Sequence, residues 1–148
     1  MKSKVLFVCA HNSARSQMAE AFLERIGGEE FDVYSAGITA GALNPYVVAA
    51  MKEIGFDIEG NATKTVFDPL IADQEYDYVF TVCQESAAQP CPIYPTAGTR
   101  ISWHFLDPSE FEGDHEAIMA NVRIVRDRIR EQVEQWYTQA GGEMDRVR

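Results

Sequence analysis

Residues 5–8 (Val-Leu-Phe-Val) form an unbroken apolar run, the pattern of a strand buried on both faces in the middle of a sheet. From Ser16 the spacing changes. Met18, Ala21, Phe22 and Ile26 recur at intervals of three and four, which predicts a helix stopped by Gly27-Gly28. Residues 31–35 read as a second strand. Pro45 stands at the first turn of a helix capped by Asn44, with Val48, Met51, Lys52 and Ile54 following and Gly55 ending it. Residues 71–72 fall in a short helical or irregular stretch. Residues 76–82 (YDYVFTV) form the next strand and run directly into Cys83, and residues 101–103 a further short one. Ile118, Val122, Val125, Ile129, Val133 and Trp136 trace one face of a long amphipathic helix over residues 115–136.

Strands alternating with helices imply βαβ units, and therefore an α/β fold with a mainly parallel sheet covered on both faces. One domain over residues 1–138 is expected, with residues 139–148 a frayed C-terminal tail. Ligands of such folds sit outside the carboxyl ends of strands, near a switch in strand order. Cys9 and Cys83 both fall at the carboxyl ends of predicted strands.

Composition narrows the choice of partners. Among 148 residues, 13 Lys and Arg face 23 Asp and Glu, a formal net charge of −10. Such a chain repels phosphate backbones, so neither nucleic acid nor an anionic membrane surface is expected as a partner. The N-terminal apolar run is too short for a membrane span and lacks the length and cleavage pattern of a secretory signal. A cytoplasmic monomer is expected. Three cysteines cannot form a fully paired framework within one chain, and in the cytosol they stay reduced at rest.

The chemistry concentrates in Cys9-Ala10-His11-Asn12-Ser13-Ala14-Arg15-Ser16, between the first strand and the first helix. Five residues separate Cys9 from Arg15. A loop of that size can turn successive backbone N–H groups inward above a helix N-terminus, making a nest for a tetrahedral oxyanion from Ala10, His11, Asn12, Ser13, Ala14 and Arg15. Arg15 adds a bidentate fork. Thiols held at helix N-termini beside arginine are the activated ones, because both charges favour the thiolate, so Cys9 is the candidate nucleophile. Ser16 can donate a hydrogen bond to its sulfur. Asn12 is expected to hold the loop open through side-chain bonds to the loop backbone, and His11 to line the entrance.

The segment C-A-H-N-S-A-R-S-Q-M-A-E over residues 9–20 resembles the low-molecular-weight protein tyrosine phosphatase superfamily, most closely its arsenate reductase branch. Ser35-Ala36-Gly37, Asn44-Pro45, Cys83, Cys91-Pro92 and Asp107-Pro108 extend the likeness over nearly the whole chain, to about Trp136. The resemblance implies a three-layer sandwich with a four-stranded parallel sheet flanked by helices. It implies Asp107 as general acid, since both branches place that residue in an Asp-Pro pair and the departing oxygen must be protonated. It also implies a relay in which Cys9 attacks arsenate, Cys83 attacks the Cys9 sulfur and releases arsenite, and Cys91 attacks Cys83, leaving a disulfide for thioredoxin to reduce.

Several positions depart from that pattern. Seven residues separate Cys83 from Cys91, one more than expected of the thioredoxin-coupled members, so glutaredoxin with glutathione stays open as the donor. That spacing does not suit zinc, and no metal is expected. No tightly bound cofactor is expected either; electrons come from a thiol donor. The thioredoxin-coupled group often holds potassium through residues matching Asn12, Glu20 and Ser35 plus an aspartate. Lys64 stands at the aspartate's place, its ammonium replacing the ion, so no potassium requirement is expected. The phosphatase branch carries tyrosines after the Asp-Pro pair, where this chain has Ser109-Glu110-Phe111. The alternatives to arsenate reduction are a phosphatase acting on phosphate monoesters through a cysteinyl-phosphate and a non-catalytic oxyanion- or redox-sensing module.

Overall fold

β1 (Ser3–Cys9) has Val5, Leu6, Phe7 and Val8 without exposed surface, because it lies inside a sheet whose two faces are both covered. The computed structural model describes residues 2–12, 14–82 and 97–147, the side chains of Ala97 and of 141–147 excepted. Its elements follow as α1 (Arg15–Gly27), β2 (Phe31–Gly37), α2 (Pro45–Glu53), α3 (Pro69–Ala72), β3 (Tyr76–Thr81), β4 (Ala97–Ser102) and α4 (His115–Val147). The four strands are parallel in the order β2-β1-β3-β4.

Alternate β1 side chains serve different layers, as the pleat requires. Val5, Phe7 and Cys9 pack with Met18, Phe22 and Leu23 of α1, Val47 and Met51 of α2, and Val122, Ile129 and Val133 of α4. Leu6 and Val8 pack on the opposite face with Ala36, Val66, Ile71, Tyr76 and Val79. Helix–sheet–helix layering of a four-stranded parallel sheet is the architecture expected from the sequence. The chain leaves β1 toward β2 on one side and returns to β3 on the other. The carboxyl end of β1, where Cys9 stands, is therefore the switch point in strand order.

Local signals account for most boundaries. Asn44 caps α2 by accepting from the N–H groups of Tyr46 and Val47, with Pro45 at its first turn. Gly55, with φ +88°, follows the end of α2. Arg126 is buried and ties α4 to α2, donating to the Ala50 carbonyl at 2.9 Å and to Glu53 at 3.0 Å.

Two elements differ from expectation. β4 is the Ala97–Ser102 segment rather than residues 101–103, and Trp103 lies just beyond it with its N–H on the Thr81 carbonyl. β4 is an edge strand in which Gly98, Thr99 and Arg100 are exposed, so it lacks the apolar run that marks a central strand. α4 continues past Trp136, the helix end read from the sequence, to Val147. Two glycines cost a helix only about 1 kcal/mol each, and good helix formers flank them on both sides. Ser13, Cys83, Cys91 and the segment between those cysteines lie outside the described residues.

Candidate active site

α1 begins at Arg15 with Ala14 as its N-cap, and no side chain caps it. An Asp or Ser at that position would consume first-turn N–H groups. Alanine leaves them open, which suits an anion better than a self-satisfied helix end does. No acidic residue occupies the first turn.

The loop ahead of α1 turns sharply at Asn12, the one non-glycine among the described residues with positive φ, at 54°. This left-handed conformation is one Asn adopts more readily than most residues. It carries a fully buried side chain that orients its neighbours. Oδ1 accepts from the backbone N–H of Lys64 at 2.9 Å and from Gln17 Nε2 at 3.1 Å. Because a backbone N–H can only donate, this contact fixes which end of the amide is oxygen. Nδ2 then donates to Ser16 Oγ at 2.8 Å and to Ser35 Oγ at 3.0 Å. Ser16 Oγ, already accepting, has its own proton free for Cys9 Sγ, 2.9 Å away. The sulfur is thus placed to accept that hydrogen bond.

Asn12 therefore acts differently from expectation. Apart from the Lys64 N–H its partners are the side chains of Ser16, Gln17 and Ser35, which lie on α1 and β2 rather than along its own loop, because the left-handed turn aims the amide inward. Gly37 allows the close approach this needs: a Cβ there would fall 2.5 Å from the Asn12 nitrogen and 2.7 Å from the His11 carbonyl carbon.

The wiring runs on to Glu20. Ser35 Oγ donates to its carboxylate at 3.1 and 3.2 Å. Burial pushes this carboxyl up from its ordinary range; the Lys64 ammonium and the Ser35 hydroxyl pull it back, and Glu24 adds to the rise. Lys64 is thus electrostatically coupled to Glu20.

Arg15, 4% exposed, joins the loop to a distant segment. Nη1 donates to the Phe105 carbonyl at 3.2 Å, and Nη2 lies 3.3 Å from Asp107 Oδ2. Arg15 Nε is buried without a partner, the one such side-chain nitrogen or oxygen among the described residues. A buried donor left unpaired costs stability, and an oxyanion is the ligand that would satisfy it. Asp107 is extended, at φ −80° and ψ 115°, as expected of a residue before proline, and begins a 3₁₀ turn over Pro108–Glu110.

His11 is exposed, its Nδ1 2.7 Å from Thr39 Oγ1. His104 is exposed too. The structure brings together Cys9, Asn12, Arg15, Ser16 and Asp107. A groove of about 570 Å³ between residues 104–111 and α4 includes none of Cys9, Arg15 or Asp107 in its lining. Gln17 went unnoticed in the sequence. It is fully buried, donates to Asn12 Oδ1 and the Ala62 carbonyl, and accepts from Asn61. Next to an apolar helix position, a glutamine gives no periodic signal of that burial. Among the described residues no group of three or more His, Cys, Asp or Glu side chains is arranged to hold a metal ion, and no helix is long and apolar enough to cross a membrane.

A family model described as low molecular weight phosphotyrosine protein phosphatase matches residues 4–146. An arsenate reductase of Halalkalibacterium halodurans is 45% identical over 128 residues, which span 86% of this chain and 90% of that protein. A solved arsenate reductase in its phosphate-binding state superposes with a TM-score of 0.75 at 33% identity, covering 94% of this chain and 98% of that one. A thioredoxin-dependent arsenate reductase of Corynebacterium glutamicum superposes at 0.61 with 30% identity, over 90% of this chain and 61% of its own.

Proposed function

The chain belongs to the low molecular weight phosphotyrosine protein phosphatase family, and from that premise we propose that it reduces arsenate to arsenite. Its relatives carry the arsenate assignment. Within the molecule the reading rests on one juxtaposition: Arg15 links the loop that bears the Cys9 sulfur to the Asp107 carboxyl.

In this reading the oxyanion sits on the open first-turn N–H groups of α1 and on Arg15, which brings its unpaired Nε–H to the ligand. Cys9 sulfur bonds to arsenic while an oxygen leaves as water, taking a proton from Asp107; arsenic stays pentavalent. Cys83 then attacks the Cys9 sulfur. The S–As bond breaks with its electron pair remaining on arsenic, giving arsenite and a Cys9–Cys83 disulfide. Cys91 displaces Cys9 and leaves Cys83–Cys91. Val8 and Val82, the residues preceding the first two cysteines of this series, are hydrogen-bonded at 2.9 Å, which favours Cys83 as the partner of Cys9. Thioredoxin, the donor of one relative, returns the final disulfide to thiols, with glutaredoxin and glutathione the competing donors. The reduced thiols this needs suit the cytoplasm. With the Lys64 ammonium acting on Glu20, activity should not require potassium.

The deciding assay supplies arsenate, thioredoxin, its reductase and NADPH, with p-nitrophenyl phosphate hydrolysis measured in parallel. Arsenate-dependent NADPH oxidation with arsenite formed is the expected result; ester hydrolysis alone would make the chain a phosphatase, and neither activity a sensing module. Asp107→Asn is expected to slow turnover by roughly 10²–10⁴-fold, the scale of general acid catalysis. Phosphate affinity should be retained in calorimetry, because the amide adds no negative charge. Unchanged turnover would place the acid elsewhere.

A further inference from the structure

The two oxygens of the Asp107 carboxyl stand in different surroundings. Oδ1 accepts twice from one residue, from the Ser109 backbone N–H at 3.0 Å and from the Ser109 hydroxyl at 2.8 Å. Oδ2 faces Arg15 Nη2 at 3.3 Å. Pro108, buried, fixes the backbone between them, and the turn is closed by the Glu110 N–H on the Asp107 carbonyl.

A carboxyl acting as general acid carries its proton on one oxygen, and that oxygen must face the departing group. Two donors at Oδ1 occupy the lone pairs a proton would use. Oδ2 is left to hold it, and Oδ2 is on the side of the arginine that serves the anion. The backbone N–H of residue 109 would be present with any side chain there but proline. The hydroxyl is specific to serine or threonine.

We propose that Ser109 is a positioning residue for the general acid: its hydroxyl locks Asp107 so that Oδ2 carries the proton and presents it to the leaving oxygen. The assignment rests on the arsenate-reducing reading for its substrate, and on Asp107 for its chemistry. In the step it serves, the Cys9 S–As bond forms and an As–O bond breaks. The Oδ2 proton goes to the departing oxygen, which leaves as water, and arsenic is not yet reduced. Without the hydroxyl, the carboxyl turns more freely about its last side-chain torsion, and the proton spends part of its time on the wrong oxygen. Anion binding does not depend on where that proton sits.

The test compares Ser109→Ala and Ser109→Thr with the parent chain. For Ser109→Ala, kcat for arsenate reduction falls up to about tenfold, the scale of losing one hydrogen bond to the neutral, protonated carboxyl, while KM and the dissociation constant of inorganic phosphate stay within about twofold. Ser109→Thr restores the rate. In an Asp107→Asn background, Ser109→Ala causes no further loss, since no proton remains to be placed. An unchanged kcat, a parallel loss of phosphate binding, or an undiminished effect in the Asp107→Asn background would each overturn the assignment.

Hydrolysis of aryl phosphates separates this proposal from the functional reading. Ser109→Ala should slow phenyl phosphate more than p-nitrophenyl phosphate, because the poorer leaving group depends more on protonation. If the parent chain forms no arsenite yet shows that selective slowing, the arsenate reading falls and the role of Ser109 stands. Equal slowing of both esters, or no hydrolysis by a parent chain that also forms no arsenite, overturns it.

Discussion

Replacing Cys9 by serine is expected to abolish arsenate reduction and any hydrolysis of phosphate monoesters, while inorganic phosphate still binds. Cys9 is 2% exposed at the carboxyl end of β1, with Ser16 Oγ 2.9 Å from its sulfur. A serine hydroxyl is smaller than the thiol and fits the same space, so the loop built around Asn12 should keep its shape. What changes is the nucleophile. A hydroxyl ionises far less readily than a thiol, and among the described residues the side chain hydrogen-bonded to this position is the Ser16 hydroxyl, not a histidine base. The open N–H groups of α1 and the unpaired Arg15 Nε remain for the anion. Arsenite formation and p-nitrophenol release should therefore both be lost, while a calorimetric titration with phosphate gives an affinity near that of the parent. Retained arsenate reduction would remove Cys9 from the mechanism, and loss of phosphate binding would mean that the sulfur holds the loop together.

The parts of this site that were legible in the sequence are those written in short stretches of chain. An apolar run ending in a cysteine, a small polar loop and a helix gave the strand–loop–helix unit, and Asp-Pro gave an extended aspartate. The parts that were not legible depend on residues far apart in the chain. Asn12 takes its orientation from the backbone of Lys64, 52 positions away, and passes it to Ser35, 23 positions away. Arg15 reaches the Phe105 carbonyl across 90 positions. A carbonyl has no side-chain identity, so no reading of residue types finds it. Gln17 and Ser109 escape notice for another reason: polar residues beside a helix start or a proline turn are commonplace, and only their partners distinguish them. β4 was shortened because its exposed polar positions resemble a loop.

Serine at position 83 or 91 is expected to stop thioredoxin-driven arsenate turnover while sparing hydrolysis of phosphate esters, and the two variants should stop at different points. Phosphoryl transfer from Cys9 to water needs no second thiol. Reduction of arsenic needs two electrons, which a thiol pair supplies by becoming a disulfide. With Cys83→Ser the thiol–arsenate adduct on Cys9 has no neighbouring sulfur to attack it, so no arsenite appears. With Cys91→Ser the first two steps still run. One arsenite is released per protein molecule and a Cys9–Cys83 disulfide remains, which intact-mass measurement reads as the loss of two hydrogens. The bond between Val82 and Val8 at 2.9 Å favours this order, since it brings together the strand ends that lead into those two cysteines. Disulfide formation requires Cα atoms within about 7 Å, and three thiols acting in turn cannot all be packed against one sulfur. In the proposed relay Cys91 therefore reaches Cys83 in a separate step, the one that presents a disulfide to the external donor. Rapid-quench measurement of arsenite per protein distinguishes the outcomes. Full turnover by Cys91→Ser would mean that thioredoxin reduces Cys9–Cys83 directly, and equal loss of ester hydrolysis in either variant would assign that cysteine to the fold.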